Sequence, residues 1–372
     1  MLTTVEAPPI RPASRWPTRG KRCYYRQASL IVAGILLVGG FWFASRYPQL
    51  LGKAQHVNDV LPSMAYGSIV FPVDATDPAW QRILCTMGNW LNGMKIGMGF
   101  GVLLGGLLHT VLRYYPLKLG SNLYLNSVKG ALVGVPAGVC ANCSVPVACG
   151  VTRGAGKVEA ALGFLFSSPN FNPVVVVMTF TALPLSIAIA KYGVLVFVIA
   201  LAVPLLVRWS QNRSNVDGAI ADSAACAIDL SGPPCQQSFV DVLSELGRVY
   251  LRHVYELLRP TVVIMLCASM VSSAALVLIP WSELLSEITP GKLALASFLA
   301  TAMPVPIALD VIFAGNLHSQ GVPTGYVAMF AMTLGTYSVI PSIYLWREVS
   351  RKLAVALFLM FWAIGFISGL VF

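Results

Sequence analysis

Ser167-Ser168-Pro169-Asn170-Phe171-Asn172-Pro173 lies inside residues 160–190, a run without one charged side chain. Such a run is long enough to cross a bilayer, whose apolar core needs about 20 helical residues. Two prolines and two asparagines at its centre forbid a straight helix. Each proline removes a backbone donor, and the freed groups need partners that lipid does not supply. A break of this kind is tolerated only where protein or a water-lined cavity surrounds it. The stretch predicts a membrane protein whose helices are in part discontinuous, and leaves open whether 160–190 crosses once or turns back.

The rest of the chain agrees. Of 372 residues 56% are hydrophobic and 11% charged, with mean hydropathy +0.73, against about a quarter charged in soluble domains. This excludes a soluble globular protein, and eight cysteines are too sparse for a disulfide-stapled scaffold. Asp310 apart, charge vanishes over 28–44, 96–112, 130–150, 160–190, 192–207, 260–280, 293–313, 323–345 and 353–371. The expected fold is all-α: a polytopic transmembrane helical bundle of about 8–10 spans.

Six domains are expected. Residues 1–27 form a basic, Pro-rich, disordered tail. Residues 28–45 form an anchor, preferred to a cleaved signal peptide because Gly40-Phe41-Trp42-Phe43 offers no small-x-small site. Residues 46–93 are a connector, 94–207 a first permease half, 208–259 a linker with a surface amphipathic helix from Phe239 to Leu258, and 260–372 a second half. Val145-Pro146-Val147-Ala148 is echoed by Val305-Pro306-Ile307-Ala308, so the halves are two related copies of one unit. The net charge of +10 is concentrated in the tail and belongs to the membrane surface rather than to nucleic acid. Clusters in the tail, at Arg113/Lys118/Lys129 and at Arg347/Arg351/Lys352 put the N-terminus in the cytoplasm of a multi-pass plasma (inner) membrane protein, with 46–93 and 208–259 outside.

Three constellations carry the candidate chemistry. Cys140 and Cys143, three apart on a helix, would share a face and could offer two sulfurs to a soft cation or metalloid, with Asn142 beside them and Pro146 breaking the helix. Structural zinc usually takes four ligands and no histidine lies near this pair, so a closed zinc site is not expected, and no cofactor motif is present. Asn170 and Asn172 are either interhelical ties or substrate contacts. Asp310 is the one carboxylate inside an expected span, hence a proton carrier or ion ligand, or else the partner of a base such as Arg153. His109 is read as interfacial. The glycines every four residues, 93 to 105 and 130 to 138, are read as close-packing faces.

The stretch from Cys140 to Ala148, then Gly154-Ala-Gly-Lys-Val-Glu-Ala-Ala-Leu-Gly-Phe-Leu165 leading into Ser168–Pro173, resembles the predicted-permease family that includes the ArsP organoarsenical efflux permeases. Met303-Pro304-Val305-Pro306 through Asp310, Gly321–Gly325 and Tyr337–Ser342 continue the resemblance over about 130–345. It implies an all-helical permease of two related halves, and for ArsP-like members the export of trivalent organoarsenicals by paired thiolates. Members often carry Cys-x-Cys and a glutamate where this chain has Cys140-x-x-Cys143 and Asp310.

The expected function is therefore a secondary transporter, not an enzyme, with a small-molecule or metalloid substrate. Cys140, Asn142, Cys143, Pro146, Asn170 and Asn172 would form its binding site and Asp310 its coupling group. The alternative is a membrane thiol-disulfide oxidoreductase using Cys140 and Cys143.

Overall fold

The computed structural model describes residues 24–48, 70–74, 76–115, 119–212, 239–279, 284–305 and 309–372, which are mostly helical with no strand among them. The expected tail up to residue 23, the linker segment 213–238 and Pro306 lie outside the described residues. The all-α polytopic bundle with discontinuous helices is what the structure shows.

The elements are α1 (Tyr24–Phe41, continued by a wider turn, Trp42–Arg46), α2 (Ala79–Tyr114), α3 (Leu123–Ala137), α4 (Val145–Ala155), α5 (Val158–Asn170), α6 (Pro173–Ala182) and α7 (Leu185–Phe197). After a wide turn at Val198–Ala202 come α8 (Val203–Asn212), α9 (Phe239–Leu278), α10 (Pro290–Ala302), α11 (Leu309–Ser319), α12 (Thr324–Thr333), α13 (Val339–Glu348) and α14 (Arg351–Val371). Among the described residues five helices are long and apolar enough to cross a membrane: Tyr24–Ser45, α2, Leu185–Ser210, α9 and α14. The bent pair α5–α6, turning by 51° at its break, makes a sixth. The apolar stretches 130–150, 293–313 and 323–345, each expected to be one span, are instead pairs of short helices.

Two of those pairs are hairpins. Asn126 meets Glu159, Ala131 meets Ser167 and Val139 meets Ser168, so α3 and α5 run side by side in one direction. Only Gly156 and Lys157 join α4 to α5, which forces α4 to run back between them. Likewise Leu293 and Ser297 of α10 face Gly369 and Gly365 of α14, while Gly325 and Thr333 of α12 face the same two glycines, so α10 and α12 are parallel and α11 returns between them. Glycine makes the close approach available: a Cβ on Gly105 would lie 2.7 Å from the Pro146 carbonyl oxygen, and one on Gly134 2.7 Å from that of Phe164.

Lengths repeat as well. α3 to α6 have 15, 11, 13 and 10 residues, and α10 to α13 have 13, 11, 10 and 10. Each set follows a long helix, α2 or α9, and precedes another. α2 and α9 are antiparallel, since Tyr114 reaches Glu245, Thr110 reaches His253 and Gly106 touches Val254. The two copies are thus inverted relative to each other, a plan shared by several secondary transporters.

This topology moves one loop. The starts of α1 and α9 meet through Tyr25–Phe239 and Arg26–Glu245, so Phe239, expected at the opposite face, lies at the face where α1 begins. Hydropathy misassigned it by counting a returning hairpin as one crossing. Residues 239–258, expected as a separate surface helix, are the first half of the 40-residue α9.

Candidate functional site

Four breaks converge inside the bundle: 138–144 between α3 and α4, 171–172 between α5 and α6, 303–308 between α10 and α11 (described through Val305), and 334–338 between α12 and α13. At the first, Gly138 (φ 59°) ends α3 in the left-handed region, and a turn over 141–144 precedes α4. Cys140 and Cys143 therefore meet across a turn rather than along a helix face, and they are joined as a disulfide. The Cys140 sulfur accepts the Cys143 N–H at 3.1 Å. Both residues are buried, so no soluble thiol protein can reach the pair in this state, and no thiolate is present for a soft ion. Pro146 opens α4, and its carbonyl packs against Gly105 of α2.

Asn142 joins the halves. Its amide donates to the Val305 carbonyl at 3.1 Å and accepts from the Ser338 hydroxyl at 2.7 Å. Asn170 donates to the Phe166 carbonyl at 2.9 Å and accepts from Thr336 at 3.3 Å, and its own carbonyl accepts from the Tyr192 hydroxyl. Asn172 caps α6 by accepting the Val174 N–H at 2.9 Å, as Ser338 caps α13. Its Nδ2 is buried with no hydrogen-bond partner in the structure. The third break is held from outside, with Trp90 of α2 donating to the Pro304 carbonyl at 3.0 Å.

Asp310, in the first turn of α11, is ion-paired with Lys191 of α7. Lys191 is fully buried and the Asp310 side chain 4% exposed. The partner is thus Lys191, not Arg153, which stands near the end of α4. Reading 160–190 and 192–207 as separate spans had placed Lys191 at a boundary; α7 in fact begins at Leu185, after Pro184, and carries Lys191 into the bundle. A lone lysine between two apolar runs was the signal available. Gly335 (φ 81°) allows the fourth break to pass beside this pair: a Cβ there would lie 3.4 Å from the Asp310 carboxyl. Asn142, Asn170 and Asp310 are thereby tied to one junction, while the disulfide lies on its α2 side, with Cys140 against Met94 and the Cys143 carbonyl against Gly101. Among the described residues no group of three or more His, Cys, Asp or Glu could hold a metal.

The profile of the ArsP_1 family, described as predicted permease, matches residues 96–372. The chain belongs to this family. The permease is also similar to the UPF0718 protein YraQ of Escherichia coli (strain K12), 22% identical over 317 residues that cover 84% of this chain and 86% of YraQ. No solved structure matches it. The permease is a multi-pass membrane protein, and its chemistry is the passage of a small solute through the bilayer. The matched region takes in both hairpins and all four breaks and leaves α1 outside.

Proposed function

We propose that the permease carries a small solute across the plasma membrane by alternating access, the solute binding where the four breaks meet. The observation that supports this is the junction itself: half-helices ending inside apolar sequence present backbone N–H and C=O groups that a desolvated solute can use. Asn142, Asn170 and Asn172 would contact the solute, and Asp310 would couple its movement to protons. The Lys and Arg of one face, Arg26, Arg113, Lys157, Arg208, Arg248, Arg347, Arg351 and Lys352, favour that face as cytoplasmic together with the N-terminus. As a disulfide the cysteine pair has no metal-binding thiolate, so a methylarsenite-type cargo belongs to the reduced pair.

Thr336→Cys in sealed vesicles of each orientation tests the access cycle, with wild type as the background for native cysteines. Labelling by a membrane-impermeant maleimide from both sides is expected. Labelling restricted to one side overturns alternating access at this junction. Growth under methylarsenite, with Cys140→Ser/Cys143→Ser as control, tests the metalloid cargo separately.

A further inference from the structure

α4 and α11 are equivalent helices, and Asp310 stands in the first turn of α11 where α4 has Pro146. The Pro146 carbonyl packs against Gly105. Packing is therefore enough at this corner in one half, whereas the other half carries a buried charge pair there. A buried pair costs desolvation that its own attraction barely repays, so its presence asks for a use beyond stability.

The surroundings define that use. Lys191 meets Asp310 from α7, with the Tyr192 hydroxyl next along the same helix. Of the other elements against α11, α6 has no titratable side chain, α12 has only Tyr326, which hydrogen-bonds to the Leu284 and Glu287 carbonyls, and the break at 334–338 has only the buried Tyr337. His318 stands two turns further along α11, in its last turn. If Asp310 becomes neutral, no charged side chain among the described residues packed against it replaces it, and the Lys191 ammonium is left buried without a counter-ion. The vacated carboxylate position lies at the N-terminal end of α11, whose dipole favours negative charge. The unpartnered Asn172 Nδ2, 1% exposed at the start of α6, is a second donor left over beside the junction.

We propose that Lys191 and Asp310 form a charge-exchange pair: Asp310 takes up one proton, and a small anion replaces its carboxylate as the counter-ion of Lys191. The step conserves charge. The proton joins the Asp310 carboxylate, Lys191 keeps its proton, and the buried site stays neutral before and after. The cargo class is a small monoanion moving with one proton. This rests on the permease reading above and narrows it.

The test uses the full-length wild type in detergent, with nitrate, formate, chloride and methylarsonate as probes against gluconate of equal ionic strength. In weakly buffered solution, a binding anion should draw about one proton from solvent per protein, and its Kd should fall about tenfold per pH unit of acidification. Asp310→Asn should bind the same anion with no pH dependence, Lys191→Met should not bind it, and Lys191→Arg should restore binding. Anion binding without proton uptake, binding that survives in Lys191→Met, or no binding by any of the four probes would overturn the proposal. In liposomes, flux of a neutral solute that survives Lys191→Met sinks the exchange and keeps the permease. Proton-linked binding without flux of any probe keeps the exchange and sinks the permease.

Discussion

Thr336 donates to the side-chain oxygen of Asn170 at 3.3 Å, and the two residues hold equivalent positions, each two residues before the helix cap, Ser338 or Asn172. Equivalent residues of two inverted copies touch only near the axis that relates them. This contact therefore marks the centre of the junction.

Asn142→Ala should destabilise the permease by about 1–3 kcal/mol, because the Val305 carbonyl and the Ser338 hydroxyl would both lose a buried partner. Thermal unfolding followed by size-exclusion fluorescence measures it. A drop no larger than that of an exposed control would mean that the halves are not tied there.

Gly101→Ala should cost about 1–3 kcal/mol, since its Cβ would overlap the Cys143 carbonyl oxygen, whereas Gly99→Ala, with nothing near its Cβ, should be neutral or slightly stabilising. Equal behaviour of the two variants would contradict the packing of α2 on the hairpin tip.

Lys191→Met alone strands the Asp310 charge and should cost about 3–5 kcal/mol, while Lys191→Met/Asp310→Asn should recover most of that loss. The same unfolding assay compares them. Additive losses in the double variant would show that the two side chains do not interact.

Single cysteines at Lys157 and Glu287 should be labelled from opposite sides of intact cells, and a cysteine at Arg248 should behave as the one at Lys157. Agreement of Arg248→Cys with Glu287→Cys would return residues 208–259 to the side expected from hydropathy.

Alkylation before and after reduction, read by mass spectrometry, should add two labels on Cys140 and Cys143 only after reduction, while Cys85 and Cys267 label without it. Labelling of Cys140 in the denatured, unreduced protein would exclude the disulfide.

The breaks were legible in the sequence because proline and asparagine inside an apolar run leave backbone and amide groups that a straight, lipid-facing helix cannot pair. What stayed hidden were relations between distant residues. Residues 130–150 have the length of one span, and only the packing of Gly130 and Gly134 on α5 shows that the chain turns back at Gly138. Lys191 ended a hydropathy window, and the acid that neutralises it lies 119 positions away. The cysteine spacing suited a helix face, but the left-handed Gly138 takes the chain out of helix before the pair is reached.

The two hairpins enter from opposite faces and their tips meet within the bundle. Solvent on either side then faces a barrier shorter than the full membrane, and a proton reaching Asp310 from one compartment traverses only part of the transmembrane voltage. A full crossing is worth about 2.3 kcal/mol per charge at 100 mV, so each half-step senses a fraction of that, and its rate should respond to voltage with an apparent valence below one.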